Sequence, residues 1–200
     1  MARRTPPAGG RIRTDILAAT RRLLDTHAFT DIGVADILRE AGIARGSFYF
    51  YFARKQDVLA ELMRTAIATG HEAARENWLA DDGVDRRAAV HASIVAGARL
   101  WAEQAPVLRA VVEQSHVDPE IGDLWRDLMG TFVTATASQI DAERAAGVIT
   151  TDLDSETLAA TLTWLGERLY YLAAKGVPPF DDQEKLVDTL THTWMSVLYN

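Results

Sequence analysis

Arg45, Gly46 and Ser47 open a short stretch that continues as Phe48-Tyr49-Phe50-Tyr51-Phe52 and reaches Lys55. These residue types, in this order, suit contact with a duplex nucleic acid. A guanidinium at Arg45 can bond guanine or phosphate through two parallel donors. Gly46 lets a backbone approach closely. Ser47 can donate to a phosphate or a base edge, and Tyr49, Tyr51 and Lys55 can reach the flanking sugar-phosphate chain. Such groups must be carried on a short helix that enters a groove, braced by a second helix at a fixed angle. The preceding residues provide the brace. Residues 35–41 read as a short helix stopped by Gly42, which can take the positive φ of a tight corner. Ile37, Ala41, Ile43 and Phe48 are placed to fill the small core between the two helices. The unit is a helix-turn-helix within residues 33–53. A glycine-centred corner also occurs in helical proteins with no nucleic-acid partner, and the aromatic run also reads as plain core.

Charge bears on that choice. The 200 residues carry a net charge of -7, which taken alone argues against a polyanionic partner. Its distribution argues otherwise. Residues 1–64 hold 11 Lys and Arg against 7 Asp and Glu, whereas residues 65–200 hold 10 against 21. A basic head on an acidic body suggests two tasks. Arg3, Arg4, Arg11 and Arg13 lie in a stretch rich in Pro and Gly, read as a flexible basic arm.

The remaining chain reads as helical nearly throughout. Apolar residues recur at helical spacing from Thr14 towards His27, and a long helix begins at Lys55 and runs towards a break at Asp81-Asp82-Gly83. Further helices are expected over about 84–104, 106–115, 119–146, 155–176 and 183–199. Asp118-Pro119-Glu120, Asp154-Ser155-Glu156 and Asp181-Asp182 supply their starts. No stretch alternates as a strand would, so the expected class is all-α with about nine helices.

Several functions are disfavoured. There is no cysteine, which removes disulfides, thiolate metal sites and a thiol nucleophile. The five histidines, at 27, 71, 91, 116 and 192, form no i, i+4 metal pair, and no Gly-x-Ser-x-Gly elbow, phosphate loop or Glu-x-x-His pair is present. No metal or cofactor is expected, and an enzyme is the weakest reading. A hydrophobic-ligand carrier without a nucleic-acid role is a stronger alternative, although it would have no use for Arg45, Tyr49 and Lys55 together. No apolar run is long enough to span a membrane and no secretory signal is evident, so a cytoplasmic protein is expected.

The segment Ile37-Leu38-Arg39-Glu40-Ala41-Gly42-Ile43, followed by Phe48-Tyr49-Phe50-Tyr51-Phe52 and Lys55, resembles the N-terminal domain of the TetR family of transcriptional repressors. Leu38 departs from the alanine usual in that family. Leu124-Trp125, the run 140–144, Glu167-Arg168 and the segment from Asp188 to Trp194 and Tyr199 resemble a mycobacterial branch of the same family. The resemblance implies a homodimer, a double-stranded palindromic operator, and a hydrophobic small-molecule effector held in the C-terminal bundle. It implies an arm over 1–13, a DNA-binding domain over 14–60, and a ligand-binding and dimerisation domain over 61–200.

Trp125, Met129, Phe132 and Thr136 share one helix face by spacing, which suits a core as well as a ligand wall. The resemblance extends the wall to Trp101, Tyr170, Tyr171 and Trp194. Thr163 and Gly166 stand where that branch has two asparagines, and Val90 and Gly97 replace larger aromatics, which implies a reshaped or wider tunnel. Glu167 is either a buried acceptor in that pocket or, as the plainer reading, a carboxylate on a helix surface or interface. The apolar stripes of the last two helices, Leu158 to Leu169 and Leu186 to Leu198, serve internal packing, a dimer interface, or both.

Overall fold

The computed structural model describes residues 8–78 and 85–199, with side chains for residues 11–68 and 85–199. Among these residues all regular structure is helical. The helices are α1 (Ala8–Leu24), α2 (Val34–Ala41), α3 (Arg45–Tyr51), α4 (Lys55–Trp78), α5 (Arg86–Glu103), α6 (Ala105–Ser115), α7 (Pro119–Ala145), α8 (Ser155–Ala174) and α9 (Gln183–Leu198). A single 3-10 turn, Phe29–Asp31, lies between α1 and α2. The class and the approximate number of helices agree with the sequence reading. The break expected at 81–83 lies outside the described residues.

Local chemistry sets the helix starts. Asp85, Asp118, Asp154 and Asp182 each accept backbone N–H groups of the turn that follows, satisfying donors that have no partner inside the helix. Gly42 ends α2 in the left-handed region at φ 66°, where any other residue would be strained. Helix α1 begins within the stretch expected as a flexible arm. Residues 1–7, with Arg3 and Arg4, lie outside the described residues, but residues 8–13 are already helical. The reason is packing and charge: Ile12 leans on the core, Arg13 pairs with Glu61 at 2.6 Å, and Arg11 lies 3.9 Å from Asp15.

One apolar cluster joins head and body. It includes Ile16, Phe29, Ile37, Phe48 and Leu59 from the helix-turn-helix region, Met63 and Ile67 from α4, and Trp101, Leu108, Ile121, Trp125 and Met129 from the body. Helix α4 crosses the expected boundary at residues 60–61 without interruption and packs on α1, α5 and α6. Behind it, α5 packs on α9 and α7 packs on α8. Arg144 ties the α7–α8 connection by donating to Ser155 Oγ at 2.6 Å, Leu153 O at 2.7 Å and Thr151 O at 3.1 Å.

The α6–α7 corner is tight. A Cβ on Gly122 would lie 2.7 Å from the carbonyl oxygen of Ser115, a backbone atom that cannot swing away. Gly122→Ala is therefore expected to destabilise the protein by about 1–3 kcal/mol, the range for overpacking. That corresponds to a fall of roughly 2–10 °C in Tm for a chain of this size. An unchanged thermal transition would show that the corner yields freely.

Candidate functional site

Helix α3 sorts its aromatic run by facing. Phe48 and Phe52 are buried and seat the helix on the head core, while Tyr49 is 46% and Phe50 80% exposed. Tyr51 is half-buried against the core, with its ring edge-on to Phe50 at 4.9 Å. Arg45 and Gly46 are exposed at the helix start, and Ser47 is half-buried. The Arg45 guanidinium lies over the Tyr49 ring at 5.5 Å. The structure therefore gathers Arg45, Gly46 and Tyr49 on one open surface, as a groove-entering helix requires. Phe50 is the most exposed ring of the run, and sequence gives no sign of which aromatic in an unbroken run faces out. An exposed phenyl ring suits a thymine methyl group.

The brace has its own chemistry. Gly33 N–H donates to Asp36 Oδ2 at 2.9 Å, and Asp36 pairs with Arg39 at 2.5 Å. These hydrogen bonds, the backbone one first, hold the Asp36 carboxyl below its ordinary range.

Lys55 departs from the sequence expectation. Its ammonium donates to Ile32 O at 2.6 Å, Phe29 O at 2.8 Å and Thr30 O at 3.4 Å, and sits 4.6 Å from the centre of the Phe29 ring. It caps the 3-10 turn instead of reaching outward, and desolvation pulls its pKa below the usual lysine range. Spacing could not reveal this, since the carbonyls it serves lie 23–26 residues earlier.

Arg54 was also overlooked. It donates to Asp118 Oδ2 at 2.8 Å, pairs with Glu120, and lies 3.3 Å from Asp57. Asp57 in turn accepts the N–H groups of Ala53 and Arg54 at 3.0 Å, starting α4. One guanidinium thus links the start of α4 to the start of α7. The local part, an acid at the third helical position, was readable as a capping pattern; the partners 64 and 66 residues away were not.

In the body, α4, α5, α7, α8 and α9 line a partly open cavity of about 190 Å³. Trp101, Trp125, Met129, Phe132, Thr136, Thr163, Glu167, Tyr170 and Trp194 all line it, with Ile67, Ile94, Leu100 and Leu162 among the further apolar wall residues. Tyr171 does not. One residue further along α8, it turns away to donate to Glu113 Oε1 at 3.3 Å, with its ring 6.5 Å from Trp101. The space expected at Gly97 is filled: the Tyr170 ring would be 3.0 Å from a Cβ there, and its hydroxyl donates to Ile94 O at 3.1 Å. Burial raises the Tyr170 phenol well above its ordinary range.

Glu167, for which a buried pocket acceptor and a surface or interface carboxylate were both open, is 5% exposed and on the cavity wall. Burial raises its pKa, against the opposing influence of Arg168 and a hydrogen bond from Trp125. Of the apolar stripes on α8 and α9, Leu158, Leu162, Leu186, Leu190 and Leu198 are buried within the chain, whereas Trp164 is exposed. Among the described residues no acidic, histidine or cysteine cluster could hold a metal ion, and no helix is long and apolar enough to cross a membrane.

Known proteins share this arrangement. Residues 16–62 match the family described as bacterial regulatory proteins, tetR family. Residues 90–200 match the C-terminal domain of the transcriptional regulator EthR. The HTH-type transcriptional regulator EthR of Mycolicibacterium smegmatis is 33% identical over 193 residues, covering 96% of this chain and 88% of the relative. EthR of Mycobacterium tuberculosis H37Rv is 30% identical over 193 residues, covering 96% and 89%. Among solved structures, a TetR-family regulator from Rhodococcus sp. superposes with a TM-score of 0.75 at 18% identity, covering 92% of this chain and 98% of that one. One from Syntrophomonas wolfei gives 0.76 at 14% identity, covering 94% and 95%. These relatives are regulators and not enzymes. With a helix-turn-helix head and a cavity-bearing helical body matched over nearly the whole length, the chain belongs to the TetR family of bacterial transcriptional regulators, in the branch that shares the EthR C-terminal domain.

Proposed function

We propose that the chain is a homodimeric repressor that grips a palindromic operator in double-stranded DNA and releases it when a hydrophobic small molecule occupies the body cavity. The observation that carries this reading is the continuity of α4. Its first residue, Lys55, caps the head, and Ile67 on the same helix lines the cavity. A ligand that displaces the later turns of α4 changes the seating of the head, and Arg54 couples the same end of α4 to α7, which carries Trp125 and Met129.

Two copies are needed because one recognition helix contacts few bases. Paired helices about one DNA turn, roughly 34 Å, apart read both halves of a palindrome. The α8 and α9 faces around Trp164 are the surface for that pairing. The ligand acts by preferring a dimer whose heads no longer match two successive grooves. It weakens DNA binding only as far as that preference extends. The protein works where the DNA is, in the cytoplasm.

The test is binding to duplex fragments from the protein's own promoter region. Affinity is expected to fall steeply with salt, as phosphate contacts demand. Tyr49→Ala removes a contact of about 1 kcal/mol per half-site, so a dimer should bind roughly 30-fold more weakly. Tm should change little, because the ring is 46% exposed and meets Phe48 only edge-to-face at 5.4 Å. If the wild-type protein binds no such fragment, the repressor reading fails.

A further inference from the structure

The polarity of the cavity is unequal. Its wall is almost wholly hydrocarbon, yet it contains a carboxylate and two hydroxyl groups with unmet capacity. Glu167 projects from α8 with almost no solvent contact. Thr163 lies one turn earlier on the same face of α8, and Ser93 lines the cavity from α5. The Thr163 and Ser93 hydroxyl oxygens are buried and have no hydrogen-bond partner.

The charge of Glu167 is poorly met inside the protein. Arg168 approaches only to 4.0 Å, through Nε, and its guanidinium is half exposed over the Tyr171 ring at 5.3 Å. A carboxylate can accept about four hydrogen bonds. Among the described residues, no lysine, arginine, histidine, asparagine or glutamine lines the cavity. The Tyr170 hydroxyl, a donor on the wall, is committed to Ile94 O. A ligand carbonyl or carboxylate entering here meets few donors and an anion. A ligand donor meets a buried acceptor and the faces of Trp101, Trp125 and Trp194, which attract cations.

We propose that the cavity selects apolar ligands whose polar end is a cationic amine, with the ammonium seated against Glu167 and the Thr163 and Ser93 hydroxyls as further acceptors. This rests on the cavity being the effector site. Burying a lone carboxylate disfavours folding. An arriving ammonium offsets that cost, and so gives the amine an advantage that an equally apolar alcohol lacks.

Three probes of matched size test the inference by calorimetric titration near neutral pH: 4-phenylbutylamine, 4-phenylbutan-1-ol and 4-phenylbutanoate. The amine is expected to bind about tenfold or more tightly than the alcohol, with the carboxylate weakest, in the range for a desolvated charge pair. Glu167→Gln keeps the shape and removes the charge. It should weaken the amine about tenfold and leave the alcohol within about twofold. Thr163→Val should weaken the amine by a smaller factor, about threefold, for the loss of one neutral acceptor. If the wild-type protein binds the alcohol as tightly as the amine, or if Glu167→Gln leaves amine affinity unchanged, the inference is overturned while the cavity remains a ligand site. If none of the three probes binds or raises Tm, the effector-site reading falls and takes the inference with it.

Discussion

Lys55→Met is expected to cost the protein both stability and operator binding. The methionine keeps the apolar stem over Phe29 but leaves Phe29 O and Ile32 O, now at 2.8 and 2.6 Å from the ammonium, without that donor. Bonds from a charged donor to neutral acceptors contribute about 1.5–3 kcal/mol each where water is excluded. This site is only part-buried, so water can replace some of that, and a loss of about 2–4 kcal/mol is the expected result. The turn at 29–31 leads directly into α2, so loosening it misplaces the brace for α3. Urea unfolding and operator titration together check this. A lysine that touched phosphate instead would give a different signature: unchanged stability, with the slope of log affinity against log salt reduced by about one per half-site. That result would restore Lys55 to the DNA-contacting set and remove its role as a cap.

Trp125→Ala is expected to be the most damaging single change in the body. Trp125 is 3% exposed, meets Trp101 edge-to-face at 6.3 Å, and belongs to the cluster that joins head and body. Removing a buried indole costs about 3–5 kcal/mol, depending on how far the neighbours collapse. Here they border an existing cavity, so the space adds to it. The urea midpoint should fall sharply. Under conditions where the variant remains folded, its ligand response should change more than its DNA affinity. Trp125→Phe should retain most of the stability and still alter ligand affinity. A loss below about 1 kcal/mol for the alanine variant would mean that the indole contributes to the ligand wall but little to the core.

Both predictions turn on residues whose type was legible and whose surroundings were not. Arg45 and Tyr49 could be placed because two short helices around Gly42 leave few ways to face. Nine of the ten residues expected around the cavity line it, yet Tyr171, beside Tyr170, does not. Adjacent positions on a helix differ by about 100°, and which of them meets the cavity depends on how α5 and α7 cross α8. Glu167 is the converse case. A carboxylate on a helix reads as solvated unless the neighbouring helices are known, and here they leave it 5% exposed.

The sequence by itself determined the helical class, most helix starts with their capping residues, the helix-turn-helix and the division of charge into a basic head and an acidic body. These follow from local chemistry: periodicity of apolar residues, capping side chains, a glycine free to take positive φ, and the order of charges along the chain. Only the tertiary structure decided that Lys55 points inward, that Arg54 joins α4 to α7, that the aromatic run splits between core and surface, and that a carboxylate lies inside an apolar cavity. Each depends on partners far away in sequence, and the environment of a charge is set by what packs around it, not by its neighbours in the chain.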